Sequence, residues 1–283
     1  MISLTEESEI LSLAYVPEHI ISLMVLLSKG EPFFFDDFLC YKKDNWLIFI
    51  GYPLKGEARL ETIETLLTDT IGKFKPQYVW YIGKEIPPSF GQRCAEKNRD
   101  QYYKIDLESF EMKKNLERMV QRAKRDLKLE RAFAMTRDHD KLIDEFIKRE
   151  KPDDWIKALF KSMPAYVSRA KSVMVLNARD QKGNLSAFDI LELGAKEFAT
   201  YVVGCHSKKH YVPQASDLLL FEMINIAKGQ GKKSINLGLG VNDGIRRFKE
   251  KWGGVPFLDY QFCEVETGFT RPLSFMKALE GKL

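Results

Sequence analysis

The residues of this 283-residue chain with chemical capacity fall into four groups. The first is a run of cations, Lys113, Lys114, Arg118, Arg122, Lys124 and Arg125. It shares its stretch with Leu116, Val120, Ala123 and Leu127, apolar residues at helical spacing. That spacing gathers the cations on the opposite face of one helix. Such a face is either solvated or a groove for phosphates, and Arg118, Arg122 and Arg125 would then hold a substrate or polyanion. The second group is Lys208-Lys209-His210, inside a glycine-free segment from Ser207 to Ala215. It reads as a solvated turn or as a set of phosphate contacts. The third is the dipeptide Cys205-His206 at a strand end. Neighbours on a strand point to opposite faces, which argues against a nucleophile–base couple. The fourth is Asp189 and Glu192, carboxylates in a central strand that serve either as general base or as structure. His19 and His139 read as ordinary surface or helix residues. There is no metal cluster, no CxxC pair and no Ser-His-Asp pattern, so no metal is expected.

Composition narrows the class. Hydrophobic residues are 45% and charged residues 30%, enough apolar content for a sizeable core and too much for general disorder. The length favours two domains. Lys plus Arg is 44 against 40 for Asp plus Glu, a net +4. That balance does not suggest a dedicated DNA-binding protein. Cys40, Cys94, Cys205 and Cys263 are scattered and read as reduced, mostly buried thiols of a cytoplasmic protein. The acidic N-terminus does not read as a secretory signal, and the apolar stretch Ile20–Leu27 is too short to span a bilayer. Any membrane contact is expected to be peripheral.

Periodicity supplies the elements that would position these groups. Phe33–Tyr41 and Trp46–Tyr52 form an apolar hairpin about a polar turn. Leu60, Ile63, Leu67, Ile71 and Phe74 mark a helix, and Tyr78–Ile82 a buried strand. Residues 87–100 read as loop and Tyr102–Leu107 as strand. After the basic helix come a strand at Arg131–Met135, two helices, and strands at Ser172–Ala178, Leu185–Leu193 and Glu197–Cys205. A helix ending at Gly229, a strand at Ser234–Leu239, a helix at Gly244–Trp252, a strand at Phe257–Val265 and a helix at Leu273–Leu279 complete the chain. Hairpin, helix and strand recur in the same order in both halves, without a residue-level repeat.

The element order after Leu129 resembles that of GNAT acyltransferases. Three segments are more specific: the helix ending Ile-Ala-Lys-Gly (226–229), Ile-Asn-Leu-Gly-Leu-Gly (235–240), and Gly-Ile-Arg-Arg-Phe-Lys-Glu-Lys-Trp-Gly-Gly (244–254). Together they resemble Fem-type tandem-GNAT transferases. The resemblance implies an α+β fold of two GNAT-like domains, each a mixed, mostly antiparallel sheet flanked by helices. An N-terminal partial domain would be 1–128 and a C-terminal domain 129–283, joined near Asp126–Glu130. It implies transfer of an acyl or aminoacyl group from a CoA or tRNA carrier to a small-molecule or peptide amine, with no metal. Strands would splay beside Val202 and Val203 to admit the donor. Ser207, Lys208, Lys209, His210 and Gln214 would line its phosphate end, at a helix start near Pro213. Lys249 would stabilise an oxyanion or phosphate or be a surface lysine. Asn236 and Asn242 would face the cleft or form turns. The segment lacks the glycines of the acetyl-CoA loop, which favours aminoacyl-tRNA as donor. The alternative is a non-catalytic protein of this fold that binds RNA or another polyanion.

Overall fold

The computed structural model describes residues 2–267, so the helix expected at Leu273–Leu279 lies outside the described residues. In chain order the elements are α1 (Leu4–Leu13), a 3-10 turn (Pro17–His19), α2 (Ile21–Ser28), β1 (Glu31–Phe35), β2 (Phe38–Lys43), β3 (Trp46–Gly51), α3 (Leu60–Phe74), β4 (Tyr78–Gly83), α4 (Pro88–Gly91) and β5 (Glu96–Asp106). There follow α5 (Lys114–Asp126), β6 (Leu127–Ala132), α6 (Arg137–Glu150), α7 (Asp154–Arg169), β7 (Val173–Asp180), β8 (Leu185–Glu192), β9 (Phe198–His206), α8 (Ala215–Gly229), β10 (Ser234–Leu239), α9 (Asp243–Lys251) and β11 (Val255–Glu266). Two compact units result. One holds Met1–Tyr102 and the segment that begins at Pro256; the other is Tyr103–Val255. The chain thus passes between units at 102/103 and 255/256, where the sequence suggested a single junction near 126–130.

In the first unit the strand order is β1-β2-β3-β4-β11. The apolar run Phe33–Tyr41, expected as one strand, is two, because Asp36 turns the chain with a left-handed φ of 56°. Aspartate tolerates that region better than most residues, since its short side chain can bond locally. β3 runs parallel to β4 through the crossover helix α3, whose Ile63 and Leu67 bury against Leu47, Phe49, Val79 and Tyr81. β11 pairs antiparallel with β4 from Gln261↔Gly83 to Glu266↔Tyr78, which returns the chain to this unit. Cys94 and Cys263 are joined by a disulfide, correcting the expectation that both are free thiols. They are 169 residues apart in sequence, but the Ala95 N–H donates to the Glu264 carbonyl and draws the two segments together. Cys40 and Cys205 are free and buried, as expected.

In the second unit β6, β7, β8 and β9 form an antiparallel meander, and β10 joins β9 in parallel through α8. Leu218, Leu219, Met223, Ile224 and Ala227 of α8 pack with Leu116, Val120 and Ala123 of α5 over Ala187, Leu191, Ala199 and Ile235. Alternation sends Phe188 and Glu192 to the other face, where they meet His139 of α6 and Tyr166 of α7. Antiparallel hairpin, crossover helix and parallel strand therefore occur twice, as β2-β3-α3-β4 and as β8-β9-α8-β10.

Candidate active site

The two copies differ at the parallel ladder. In the first unit β3 and β4 pair at every step from Trp46↔Tyr78 to Gly51↔Gly83. In the second unit β9 and β10 pair only at Ser234↔Phe198, Ile235↔Ala199 and Asn236↔Thr200. Beyond that rung β9 continues to His206 and β10 to Leu239 without pairing to each other. The cause is visible on the other side of β9. Ile190 of β8 pairs with Val203 and Leu191 with Tyr201, so Val202 is an extra residue, a β-bulge. A bulge bends its strand and increases its twist, which carries β9 away from β10. The edge so exposed, at Val202 and Val203, can accept an extended chain as a further strand would. The sequence expectation of a splay beside these two valines matches this geometry.

Glu192, Thr200 and Asn236 form one cross-strand row on the last rung, all three buried. Glu192 accepts hydrogen bonds from the Tyr166 hydroxyl and, at 2.7 Å, from the Gly194 N–H. Asn236 Oδ1 accepts from the Gly238 N–H at 2.8 Å. Thr200 Oγ1 and Asn236 Nδ2 are shut from solvent and have no partner among the described residues. Burial without a partner costs roughly 1–3 kcal/mol per group, so this rung is poised for a polar atom. Thr200 escaped sequence reading because its register to Asn236 is set by the fold.

Lys249 is buried, not a surface lysine. Its ammonium donates to the Leu239 carbonyl at the end of β10 and lies 5.6 Å from the Tyr103 ring centre. The Gly253-Gly254 pair fixes it there. Gly253 is left-handed at φ 79°, the Gly254 N–H donates to the Lys249 carbonyl at 2.8 Å, and a Cβ on Gly254 would meet that same carbonyl. A signal for this burial was present: Trp252, fully buried, lies three residues on from Lys249 and so on the same side of the helix.

On the opposite face of β8, the Tyr201 hydroxyl donates to Asp189 Oδ1 at 3.0 Å. The pair meets over Gly204, where any Cβ would overlap both side chains. Asp189 Oδ2 is buried without a partner. Burial pushes the Asp189 carboxyl up to about 8, against a smaller lowering by the Tyr201 hydrogen bond.

The phosphate-end residues are held differently from expectation. Glu145 of α6 accepts from the Ser207 hydroxyl at 2.8 Å and from the backbone N–H groups of Lys208 and Lys209. The His210 N–H donates to Ser207 Oγ. Burial alone would raise the Glu145 carboxyl, but the Lys208 N–H and the other donors outweigh it and hold it below its ordinary range. These amides are therefore already occupied by a carboxylate. Gln214, left-handed at φ 62°, precedes α8 without a side-chain cap. The first turn of α8 carries its own anion, Asp217, bound by Trp252 Nε1 at 2.7 Å and by Lys251.

Asn242 caps α9, accepting from the Ile245 N–H at 3.0 Å, which is the turn-forming role rather than a cleft-facing one. Burial pushes the Cys205 thiol up to about 12, so it holds its proton near neutrality. His139 on α6 and His19 on the 3-10 turn are buried, so of the two readings, surface or helix, the helix one holds. His139 bonds Asn177 Oδ1 at 2.8 Å. Arg118, Arg122 and Arg125 lie on the exposed face of α5, away from its buried Leu116, Val120 and Ala123. No group of three or more metal-ligating side chains occurs, and no helix is long and apolar enough to cross a membrane, among the described residues.

A meander, a parallel crossover and a ladder that opens past its third rung, with a second copy of the same unit, define a tandem GNAT fold. Solved structures agree. The chain is similar to the C-terminal domain (DUF2156) of a protein described as a lysylphosphatidylglycerol synthetase from Agrobacterium fabrum, at 18% identity and TM-score 0.60, covering 94% of this chain and 93% of that one. It is similar to FemX at 11% identity and TM-score 0.60, covering 92% and 96%. It also resembles a tandem GNAT protein from the clavulanic acid biosynthesis pathway, at 10% identity and TM-score 0.51, covering 83% and 79%. No family model and no curated protein sequence matches the chain.

Proposed function

We propose that the second unit is a transferase that moves an aminoacyl or acyl group from a carrier to a nucleophilic acceptor, with aminoacyl-tRNA the favoured donor over acyl-CoA. The observation that carries this is the β9–β10 ladder, open past Asn236↔Thr200 where the first unit's ladder is closed. An extended donor arm would pair with the free edge of β9 at Val202 and Val203. Attack on its carbonyl carbon places negative charge on the carbonyl oxygen, and the leaving ribose hydroxyl or thiol takes a proton. Asn236 and Thr200 supply unpartnered polar groups at the closed end of the cleft, and Lys249 a cation beside β10. Asp189, through Tyr201, is the group whose proton affinity suits exchange near neutrality.

The tRNA donor is favoured because Glu145 already fills the amides that a CoA pyrophosphate would need. The exposed cations of α5 offer a line of phosphate contacts instead. An amine is the simplest acceptor. The lipid product in the Agrobacterium neighbour's name adds phosphatidylglycerol, presented peripherally, to the acceptors worth testing. The test is a transfer assay with charged tRNAs and acyl-CoAs against amines and phosphatidylglycerol vesicles. Product with charged tRNA supports the reading; product only with acyl-CoA overturns the donor assignment. Salt-dependent tRNA binding without transfer to any acceptor would favour the non-catalytic alternative.

A further inference from the structure

The first unit holds a second polar cluster that the transfer site does not use. On the 3-10 turn at Pro17–His19, Glu18 Oε1 accepts from the Tyr102 hydroxyl at 2.6 Å. Its other oxygen, Oε2, is shut from solvent and has no partner among the described residues. Its carboxyl is raised by burial and only partly lowered by Tyr102, and no cation contributes to holding it ionised. Tyr102 is ringed by aromatic neighbours. Tyr260 lies 5.6 Å away edge-on, Tyr52 at 6.3 Å and Phe257 at 6.4 Å. Glu96 and Asp100 add negative field at Tyr260.

The next residue repeats the pattern. His19 Nε2 lies 3.0 Å from the Tyr52 carbonyl, which can only accept, so Nε2 carries the hydrogen. Nδ1 is then a lone-pair acceptor, and it too is buried without a partner. Burial lowers His19 to about 4, which keeps the ring neutral. One turn therefore presents two unfilled acceptors and no surplus donor. A carboxyl beside several aromatic rings is complementary to an organic cation, whose charge would also hold the carboxyl ionised. The unfilled acceptors further require that the cation carry N–H groups.

We propose that the Glu18 turn, with His19, Tyr52, Tyr102, Phe257 and Tyr260, is a binding site for a primary ammonium group. Glu18 and Tyr260 are half-buried rather than sealed, which gives the ligand an approach. The site lies wholly within the first unit and does not depend on acyl transfer, so either reading can fail without the other.

Saturation-transfer NMR on the full chain tests it, with n-propylammonium as probe, 1-propanol as neutral isostere and tetramethylammonium as a cation without N–H. Propylammonium is expected to bind saturably and about tenfold or more tighter than either control. Glu18→Gln should weaken it by about tenfold while the chain stays folded. Should that variant fail to fold, Tyr260→Leu, at a half-buried ring, should weaken it severalfold. Equal binding of 1-propanol, or no saturable binding of propylammonium to the wild type, overturns the site. Tetramethylammonium binding as tightly as propylammonium overturns the assignment to a primary ammonium.

Discussion

Replacing Asp189 with Asn should change how stability depends on pH. In the folded chain the Asp189 carboxyl keeps its proton up to about 8, from an ordinary value of 3.8, because burial disfavours the charge. In the unfolded chain it is ionised above about pH 4. Between these limits the folded state binds one more proton than the unfolded state. Raising pH therefore destabilises the fold, the reverse of the usual carboxylate case. The slope is at most about 1.4 kcal/mol per pH unit, or about 4 kcal/mol in all by pH 7. Asparagine is nearly isosteric, cannot ionise, and keeps an oxygen for the Tyr201 hydroxyl. Chemical denaturation of both proteins at intervals from pH 4.5 to 8 isolates this group, since every other titration cancels in the difference. The variant should gain on the wild type steadily with pH and be the more stable at neutrality. Parallel stability curves would refute the assignment of a buried, proton-holding carboxyl. The same variant separates structure from catalysis: stabilised but inactive in transfer marks Asp189 as a proton-exchanging group, whereas stabilised and active marks it as core.

Gly204→Ala should cost roughly 1–3 kcal/mol, because the methyl would overlap both Tyr201 and Asp189; an unchanged Tm would contradict that contact. Reducing the Cys94–Cys263 bond should lower stability by about 2–4 kcal/mol, read as a Tm drop in reductant that the Cys94→Ala/Cys263→Ala double variant does not show further. Replacing Arg118, Arg122 and Arg125 together by Ala should flatten the dependence of log K for tRNA on log salt by about 2–3, with the Tm little changed; an unaltered slope would remove α5 from the binding surface.

What could be read from the sequence was whatever is local. The three- and four-residue spacing of α3 and α5 and the strand-like runs of β7, β8 and β9 were legible because they follow from the geometry of one element. The splay beside Val202 and Val203 was legible through the resemblance. Contacts between distant residues were not. Nothing in the Ser207–Gln214 segment reveals that Glu145, more than sixty positions earlier, fills its amides. Asp36 and Asp37 interrupt the run Phe33–Tyr41, and that acidic pair was a turn signal which the reading as one strand passed over. The polar stretch Glu96–Asp100 looked like loop, yet it is strand because neighbours supply its pairing. Lys249 was ambiguous for a different reason. Charge argues for the surface and helix phase for the interior, and phase won because the ammonium finds the Leu239 carbonyl and the Tyr103 ring.

The twofold use of one unit explains why a single cleft suffices. In the first copy the far ends of the parallel pair are Gly51 and Gly83, and the Tyr81 ring lies over both, so closely that a Cβ on either would strike its hydroxyl. That hydroxyl donates to the Glu85 carbonyl at 2.8 Å, fixing the ring in place. The ladder stays closed and its end is covered by a side chain. In the second copy the bulge at Val202 opens the pair, and the last rung keeps two buried polar atoms without partners. A closed ladder with satisfied groups is what stability alone favours. An opened ladder with orphaned donors and acceptors costs free energy that stability alone would not retain, which is why the proposed transfer site is assigned to the second copy. Substitutions at Gly51, Tyr81 or Gly83 should accordingly act on folding, and those at Thr200 or Asn236 on transfer with little loss of stability. Transfer activity that survives Thr200→Val and Asn236→Leu, with an unchanged ratio of kcat to KM, would show that the opened rung has no part in the chemistry.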